Sequence, residues 1–111
     1  MAQIDFPKIL EQLKDNLVTL AKSTLTNYVN EAKTDAQNMI DSMKAKLERW
    51  TQLLANGDLT VEDFEWLVYS QKDLIEMNAL KEAGLAEIRI EQFKGSVINL
   101  IIDTVLQIIK I

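Results

Sequence analysis

Asn56-Gly57-Asp58-Leu59-Thr60 is the stretch that decides the fold, because it combines the strongest helix-stop and helix-start signals in the chain. Asn-Gly tolerates the left-handed backbone conformation that ends a helix. Thr60 is a good N-cap, and Asp63 three residues later resembles the second half of a capping box. Leu59 and Phe64 lie where a hydrophobic staple would place them. The stretch therefore predicts a tight turn at residues 56–60 between two helical arms.

Upstream of the turn, residues 5–55 have the pattern of one long amphipathic helix. Asp5 can cap this helix, and Pro7 suits its first turn. Apolar residues recur every three or four positions, at a mean step of about 3.7 residues, and no helix breaker precedes Asn56. At about 1.5 Å per residue the arm would span about 75 Å, and its opposite face, which includes Asp35, should be solvated. The predicted buried face consists of Phe6, Leu10, Leu13, Leu17, Leu20, Leu25, Tyr28, Ala32, Ala36, Met39, Met43, Leu47, Trp50 and Leu54.

Downstream of the turn, residues 61–111 form a second arm of matching length. Gly84 and Gly95 are its two candidate break points, since glycine often ends helices and Ser96 could cap a new one. We favour a kink or short break at Gly84 over a full reversal, because no Ser, Thr or Asp caps a new start after it. The alternative is three helices, with residues 85–111 folded back. The face expected to be partly buried consists of Phe64, Leu67, Val68, Leu74, Ile75, Ala79 and Ala86, interrupted by Gln71 and Glu82.

Composition supports the same fold class. The 111 residues suit one domain, 48% of them are apolar, and the chain has only 3 glycines and 1 proline. We therefore predict a single all-α domain over residues 1–111. Its predicted architecture is a long antiparallel helical hairpin that associates into a helical bundle.

The C-terminal segment from Val97 onward suggests a partner interface. Only Asn99, Asp103, Gln107 and Lys110 are clearly polar in it, so the predicted helix is apolar around most of its circumference. One partner arm can cover only one stripe of this helix. Because burial of each Ile or Leu contributes about 1.5–3 kcal/mol, the apolar surface that is left should be buried against a further partner. The predicted interface residues are Trp66, Val97, Ile98, Ile101, Ile102, Val105, Ile108 and Ile109.

Trp66 enters this set because of its position near the turn. Trp50, Phe64, Trp66 and Tyr69 could form a small core that closes one end of the hairpin. Alternatively, Trp66 could be exposed in a binding patch. Trp66 is two residues from Phe64, so the two cannot share a helix face. Trp66 is therefore the better candidate for a partner contact.

The leading functional prediction is a non-catalytic protein that self-associates into a homodimer or a homotetramer. Three alternatives stay open: another helical protein, a lipid surface, and a three-helix monomer that hides the segment itself. Residues 1–55 carry seven basic and seven acidic groups, whereas residues 56–111 carry five and ten. This acidic balance argues against nucleic acid, which requires an excess of Lys and Arg. It also weakens the lipid alternative, because membrane-surface helices usually carry basic residues.

The sequence also lacks the usual chemistry of enzymes. It has no histidine and no cysteine, which removes the commonest acid–base group, thiol nucleophiles and thiolate metal ligands. An EF-hand reading of the turn would put Gln52, Leu54 and Asn56 at positions that need carboxylates. Glu87 and Glu91 are better interpreted as a solvated helix face than as metal ligands. We therefore expect no catalytic, metal or cofactor site.

The termini carry no apparent targeting signal. Residues 1–5 lack the basic and apolar regions of a signal peptide. The apolar stretch from Val97 to Ile111 would reach about 22 Å as a helix, short of the roughly 30 Å of a bilayer core. We therefore expect a cytoplasmic protein.

Overall fold

A computed structural model describes residues 4–109, and the chain is all-α, as the sequence predicts. Within residues 4–109, five α-helices and one short 3-10 helix make up the regular structure. No strand occurs within the described residues. The elements are α1 (Phe6–Thr24), α2 (Val29–Asn56), α3 (Val61–Ser70), the 3-10 helix (Lys72–Leu74), α4 (Asn78–Glu82) and α5 (Glu87–Ile109).

The turn at residues 56–60 forms as predicted. Gly57 has a φ of 84°, the left-handed conformation that ends α2, and the backbone N–H of Asp58 donates to the Leu53 carbonyl. The Thr60 hydroxyl accepts from the backbone N–H of Asp63, whose carboxylate accepts from the Thr60 N–H. This capping box starts α3 at the expected residue.

The first arm is two helices, which corrects the single helix predicted for residues 5–55. α1 ends at Thr24 and α2 begins at Val29. The connecting region is rich in Ser, Thr and Asn, whose side chains bond to nearby backbone and so compete with helix formation. The hydroxyls of Ser23 and Thr24 both donate to the Leu20 carbonyl, at 3.1 and 2.6 Å. A run of residues with weak helix propensity thus ends the helix here, a role that a single glycine or proline usually has.

The chain turns back on itself at this break. Placed end to end, α1 and α2 would extend about 70 Å, whereas the longest dimension of the molecule is 47 Å. α1 packs against both α2 and α5. The expected 75 Å arm is therefore replaced by two shorter helices that lie side by side.

The second arm is also divided. α3 ends at Ser70, and the 3-10 helix and the extended backbone at Ile75 change the direction in which side chains point. As a result the predicted face holds for Phe64 and Val68, which are fully buried, but not for Leu74 and Ala86, which are exposed. Gln71, expected to interrupt that face, is buried.

Gly84 reverses the chain, and Gly95 does not interrupt it. Gly84 has a φ of 91°, and the backbone N–H of Leu85 donates to the Leu80 carbonyl, which closes the end of α4. Tyr69 contacts Asn99 and Lys72 lies beside Gly95, so α5 runs back along the preceding segment. The favoured kink or short break is therefore wrong, and the alternative with the last segment folded back is correct. α5 runs through Gly95, since the Ser96 hydroxyl donates to the Gln92 carbonyl inside the helix instead of capping a new one.

Three side-chain hydrogen bonds show how the helices are arranged relative to one another. The Asp35 carboxylate accepts from the backbone N–H groups of Ala79 and Leu80, so the segment after α3 returns along α2. The Tyr69 hydroxyl donates to the Asn99 side chain, which joins α3 to α5. The Asn16 side chain donates to the Thr104 hydroxyl at 3.1 Å, which joins α1 to α5.

Buried apolar side chains from all five helices form one core. On the first two helices the predicted face is correct: ten of its members are buried, and Leu10, Leu20, Tyr28 and Trp50 are half-buried. The prediction missed Ile9, Ala21 and Ile40, which are also buried. α1, α2 and α5 therefore supply most of the core, while α3 and α4 pack against α2 and α5.

Candidate interaction surface

Most of the predicted C-terminal interface lies inside the protein. Val97, Ile98, Ile101, Ile102 and Val105 are all buried within this single chain. Their prediction as partner-contact residues is therefore wrong for this arrangement of the helices. The prediction of a polar stripe on the same helix is correct, because Asn99, Asp103 and Gln107 are exposed.

The physical reason for this correction is the break between α1 and α2. A two-arm hairpin could cover only one side of an apolar helix. With α1 folded back as a separate element, α5 contacts α1, α2, α3, α4 and the 3-10 helix. The chain thus buries most of its own apolar segment, as one of the open alternatives expected, but it does so with five α-helices in the described residues and not with three.

Two predicted interface residues near the end of α5 remain accessible. Ile108 is 38% exposed, and Ile109 is half-buried beside the core. Leu106 is half-buried as well. Lys110 of the predicted polar stripe lies outside the described residues.

Trp66 is the most exposed large apolar side chain of the described residues, at 71%. The capping box fixes the start of α3, and burial of Phe64 and Val68 turns the opposite side of that helix to solvent. Tyr69, three residues from Trp66, lies on the same side and is 45% exposed. Trp66 therefore lies outside any core at the turn, and its role as a partner contact stays a prediction.

A shallow groove begins beside these aromatic residues, between the 3-10 helix and α5. Its α5 wall is a stripe at helical spacing: Ile88, Gln92, Gly95 and Asn99, with Glu91 and Ser96 at its edges. Lys72 lines the other side, and Tyr69 joins the groove through its bond to Asn99. Ile88, at the far end, is 69% exposed.

Charges of both signs lie around this groove. Glu62 lies one turn from Trp66, Glu65 lies one turn from Tyr69, and Asp103 lies one turn beyond Asn99. Glu91 at the groove edge is paired with the Lys94 ammonium at 3.2 Å, and Lys72 and Arg89 are further cations nearby.

A second concave region lies on the other side of Glu91, between α4 and the start of α5. It has a volume of about 320 Å3, and its walls combine apolar groups such as Ile90 with carboxylates such as Glu87. Lys94 is buried there, and its ammonium donates to the Glu91 carboxylate at 3.2 Å. Because Lys94 is paired with a carboxylate of its own helix, this arrangement already has a structural role.

Asp35 also has a structural role, which corrects its predicted place on a solvated face. It is buried, and its two carboxylate oxygens accept from Leu80 and Ala79 at 2.8 and 3.0 Å. Glu87 and Glu91 are exposed, in agreement with their interpretation as a solvated helix face. Within residues 4–109 no group of three or more acidic side chains is arranged to hold a metal ion.

The sequence missed Tyr69 and Ile88 as members of the accessible surface. For Tyr69 a signal was present, because a position three residues from Trp66 must share its helix face. For Ile88 the signal was hidden by the wrong prediction at Gly84, since the register of α5 depends on where that helix begins.

Among the described helices, none has the length and apolar character required to cross a membrane. Comparisons of the chain with protein-family models, with curated proteins and with solved structures find no match.

Proposed function

We propose that the chain is a non-catalytic interaction protein that binds another protein through α3, with Trp66 at the centre of the contact. The exposure of Trp66 carries this proposal, because tryptophan and tyrosine are enriched among residues that dominate binding energy. Trp66 and Tyr69 on one side of a single helix offer two such residues on a rigid element. The lack of histidine and cysteine is consistent with a non-catalytic role.

Self-association is the second candidate function, and its contact would be the end of α5. The observation that favours it is the incomplete cover of Leu106, Ile108 and Ile109. This contact is much smaller than the one the sequence suggested, because the buried part of the same helix is no longer available to a second copy. A lipid surface gains less support, since the accessible aromatic residues lie among carboxylates.

Site-directed photo-cross-linking in the native host cells tests the proposal and does not require the partner to be identified in advance. A photoreactive phenylalanine derivative would replace Trp66 in one variant and Thr19 in a matched control. Thr19 is exposed on α1, which has no contact with α3. Both replacements should leave the fold intact, because substitutions at exposed positions usually change stability by less than about 0.5 kcal/mol.

The expected result is a discrete cross-linked product from position 66 that position 19 does not give. A product of twice the 12.7 kDa mass of the chain would identify a second copy as the partner. Equal cross-linking from both positions, or none from position 66, would rule out α3 as the contact surface.

A further inference from the structure

We propose that two copies of this chain can exchange α1, so that each copy packs its α1 on α2 and α5 of the other in a domain-swapped dimer. In this dimer residues 25–28 are helical, and α1 and α2 join into one continuous helix. The surface that receives the second copy is the one that α1 covers within a single chain. This inference goes beyond the proposed function and does not depend on it.

The contacts of α1 are those of an element that can be exchanged as a unit. It packs against α2 and α5 and against no other helix of the described residues. The Asn16 side chain joins it to the Thr104 hydroxyl of α5. The side chains that α1 buries are Phe6, Ile9, Leu13, Leu17 and Ala21. A second copy presents the same surfaces of α2 and α5, so all of these contacts can form again between copies.

The turn between α1 and α2 lacks a residue that enforces it. Its sequence, Leu25-Thr26-Asn27-Tyr28, contains neither glycine nor proline. Leu25 and Tyr28 both have negative φ values, −129° and −134°. By contrast, the chain turns after α2 and after α4 at glycines with positive φ. Residues 25–28 can therefore become helical, because none of them is a helix breaker.

The apolar pattern continues through this turn at the spacing of a helix. The steps between successive members are four, three, four and four residues, so the pattern of α1 stays in phase with that of α2. The members are Ala21, Leu25, Tyr28, Ala32 and Ala36. All of them are buried except Tyr28, which is half-buried. One continuous helix would therefore present the same apolar side on both sides of the turn.

Exchange requires that α1 first leaves the core of its own chain. Because this step exposes five buried apolar side chains, it is rare in the folded protein. Unfolding in urea removes this barrier. The protein concentration during refolding then determines whether α1 packs on its own α5 or on the α5 of a second copy, since only the second event is bimolecular.

Refolding of the full chain from urea at low and at high protein concentration tests the inference. Size-exclusion chromatography with light scattering measures the mass of the products. We expect a species of twice the 12.7 kDa chain mass only after refolding at high concentration. Its maximum dimension in small-angle X-ray scattering should exceed the 47 Å of the single chain, since a continuous helix over residues 6–56 spans about 75 Å.

Substitutions at the turn should shift this equilibrium in opposite directions. Thr26→Ala with Asn27→Ala replaces two exposed residues of weak helix propensity and should raise the association constant of the dimer at least about tenfold. Thr26→Pro should abolish the dimer, because proline breaks a continuous helix. Proline suits the present turn, in which the Tyr28 N–H donates to the Leu25 carbonyl at 2.9 Å and position 26 is the second residue. Thr19→Ala is the control and should leave the association constant unchanged, because Thr19 is helical in both forms.

A disulfide identifies the exchanged contact, since the chain has no native cysteine. The single variants Asn16→Cys and Thr104→Cys would be mixed in urea, refolded together at high concentration and oxidised. We expect a disulfide-linked product of twice the chain mass. The same two variants, refolded separately at low concentration and then mixed, should give no such product, because α1 stays in its own copy.

Three results would overturn the inference. They are the absence of a dimer from both the wild-type chain and the double-alanine variant, a dimer without the disulfide between positions 16 and 104, and as much dimer from Thr26→Pro as from the wild-type chain. If circular dichroism shows that Thr26→Pro does not fold, the first two results decide. A dimer formed through α3 would keep α1 in its own copy and give no such disulfide, so this inference and the proposed function can fail separately.

Discussion

The carboxylate of Asp35 holds two distant parts of the chain together. It receives the backbone N–H groups of Ala79 and Leu80 at the start of α4, which has no capping side chain of its own. Buried donors left without an acceptor are costly, so this one side chain satisfies two groups that the short helix cannot.

Asp35→Ala should lower the free energy of unfolding by about 2–4 kcal/mol, because two charge-assisted hydrogen bonds disappear and the buried N–H of Leu80 and the partly buried N–H of Ala79 lose their acceptor. Asp35→Asn should cost less, since its amide oxygen can still accept one of them. Urea unfolding followed by circular dichroism measures both changes. Asp41→Asn, at an exposed position of the same helix, is the control and should be nearly neutral. An Asp35→Ala variant as stable as this control would contradict the role assigned to Asp35.

Thr51 presents the opposite situation at the same scale. It is fully buried in α2, and its hydroxyl has no hydrogen-bond partner. Thr51→Val replaces that hydroxyl with a methyl group of similar size, so it should raise the free energy of unfolding by about 1 kcal/mol. Thr51→Ser keeps the hydroxyl but removes a buried methyl group, and it should be destabilising by about 1 kcal/mol. Equal loss of stability in both variants would show that the hydroxyl has a partner in solution.

At the scale of elements, a helix end could be predicted from the sequence only where one residue enforces it. Gly57 and Thr60 have backbone and side-chain properties that act locally, and the turn between them forms at the predicted residues. The break after Thr24 has no such residue. It results from several weak preferences together with burial of Leu25 in the folded core, and that burial depends on the rest of the chain.

Gly84 and Gly95 are a second case in which the local sequence did not determine where a helix ends. Both glycines were candidate breaks, yet one has a positive φ and the other lies in a continuous helix. The local sequence could not distinguish them. The difference arises because α5 can bury its apolar surface against the other helices only if the chain reverses before it. A helix that continues through Gly95 buries more of this apolar surface than one that breaks there.

This difference gives the element-scale prediction. Gly84→Ala should lower the free energy of unfolding by about 1–2 kcal/mol, because alanine at a φ of 91° is strained. Gly95→Ala should raise it by about 0.5–1 kcal/mol, since the new methyl group has room and alanine favours the helix. Thermal unfolding measures both, and a change of 1 kcal/mol corresponds to about 4–8 °C in a domain of this size. Destabilisation by both substitutions would indicate that α5 bends at Gly95 in solution.

At the scale of the whole molecule, one missed break changed the functional prediction. The apolar residues of α5 from Val97 onward were identified from the sequence, and Asn99, Asp103 and Gln107 were correctly placed on the polar stripe. What the sequence did not reveal was the number of helices available to cover that surface. The tendency of a residue to be buried can be read from the local sequence, whereas the helix that it packs against depends on the topology of the chain.

Whether α1 covers α5 within one copy or across two is therefore the decisive question, and it can be tested directly. Asn16 and Thr104 are joined by a hydrogen bond of 3.1 Å, and the chain has no native cysteine to interfere. Asn16→Cys with Thr104→Cys, treated with a small thiol oxidant, should give an internal disulfide and a product with the mass of one chain. An equimolar mixture of the two single variants should give none, because only contact between copies could join them. A dimeric product from that mixture would mean that α1 packs on the α5 of a second copy, and the self-association predicted from the sequence would regain its physical basis.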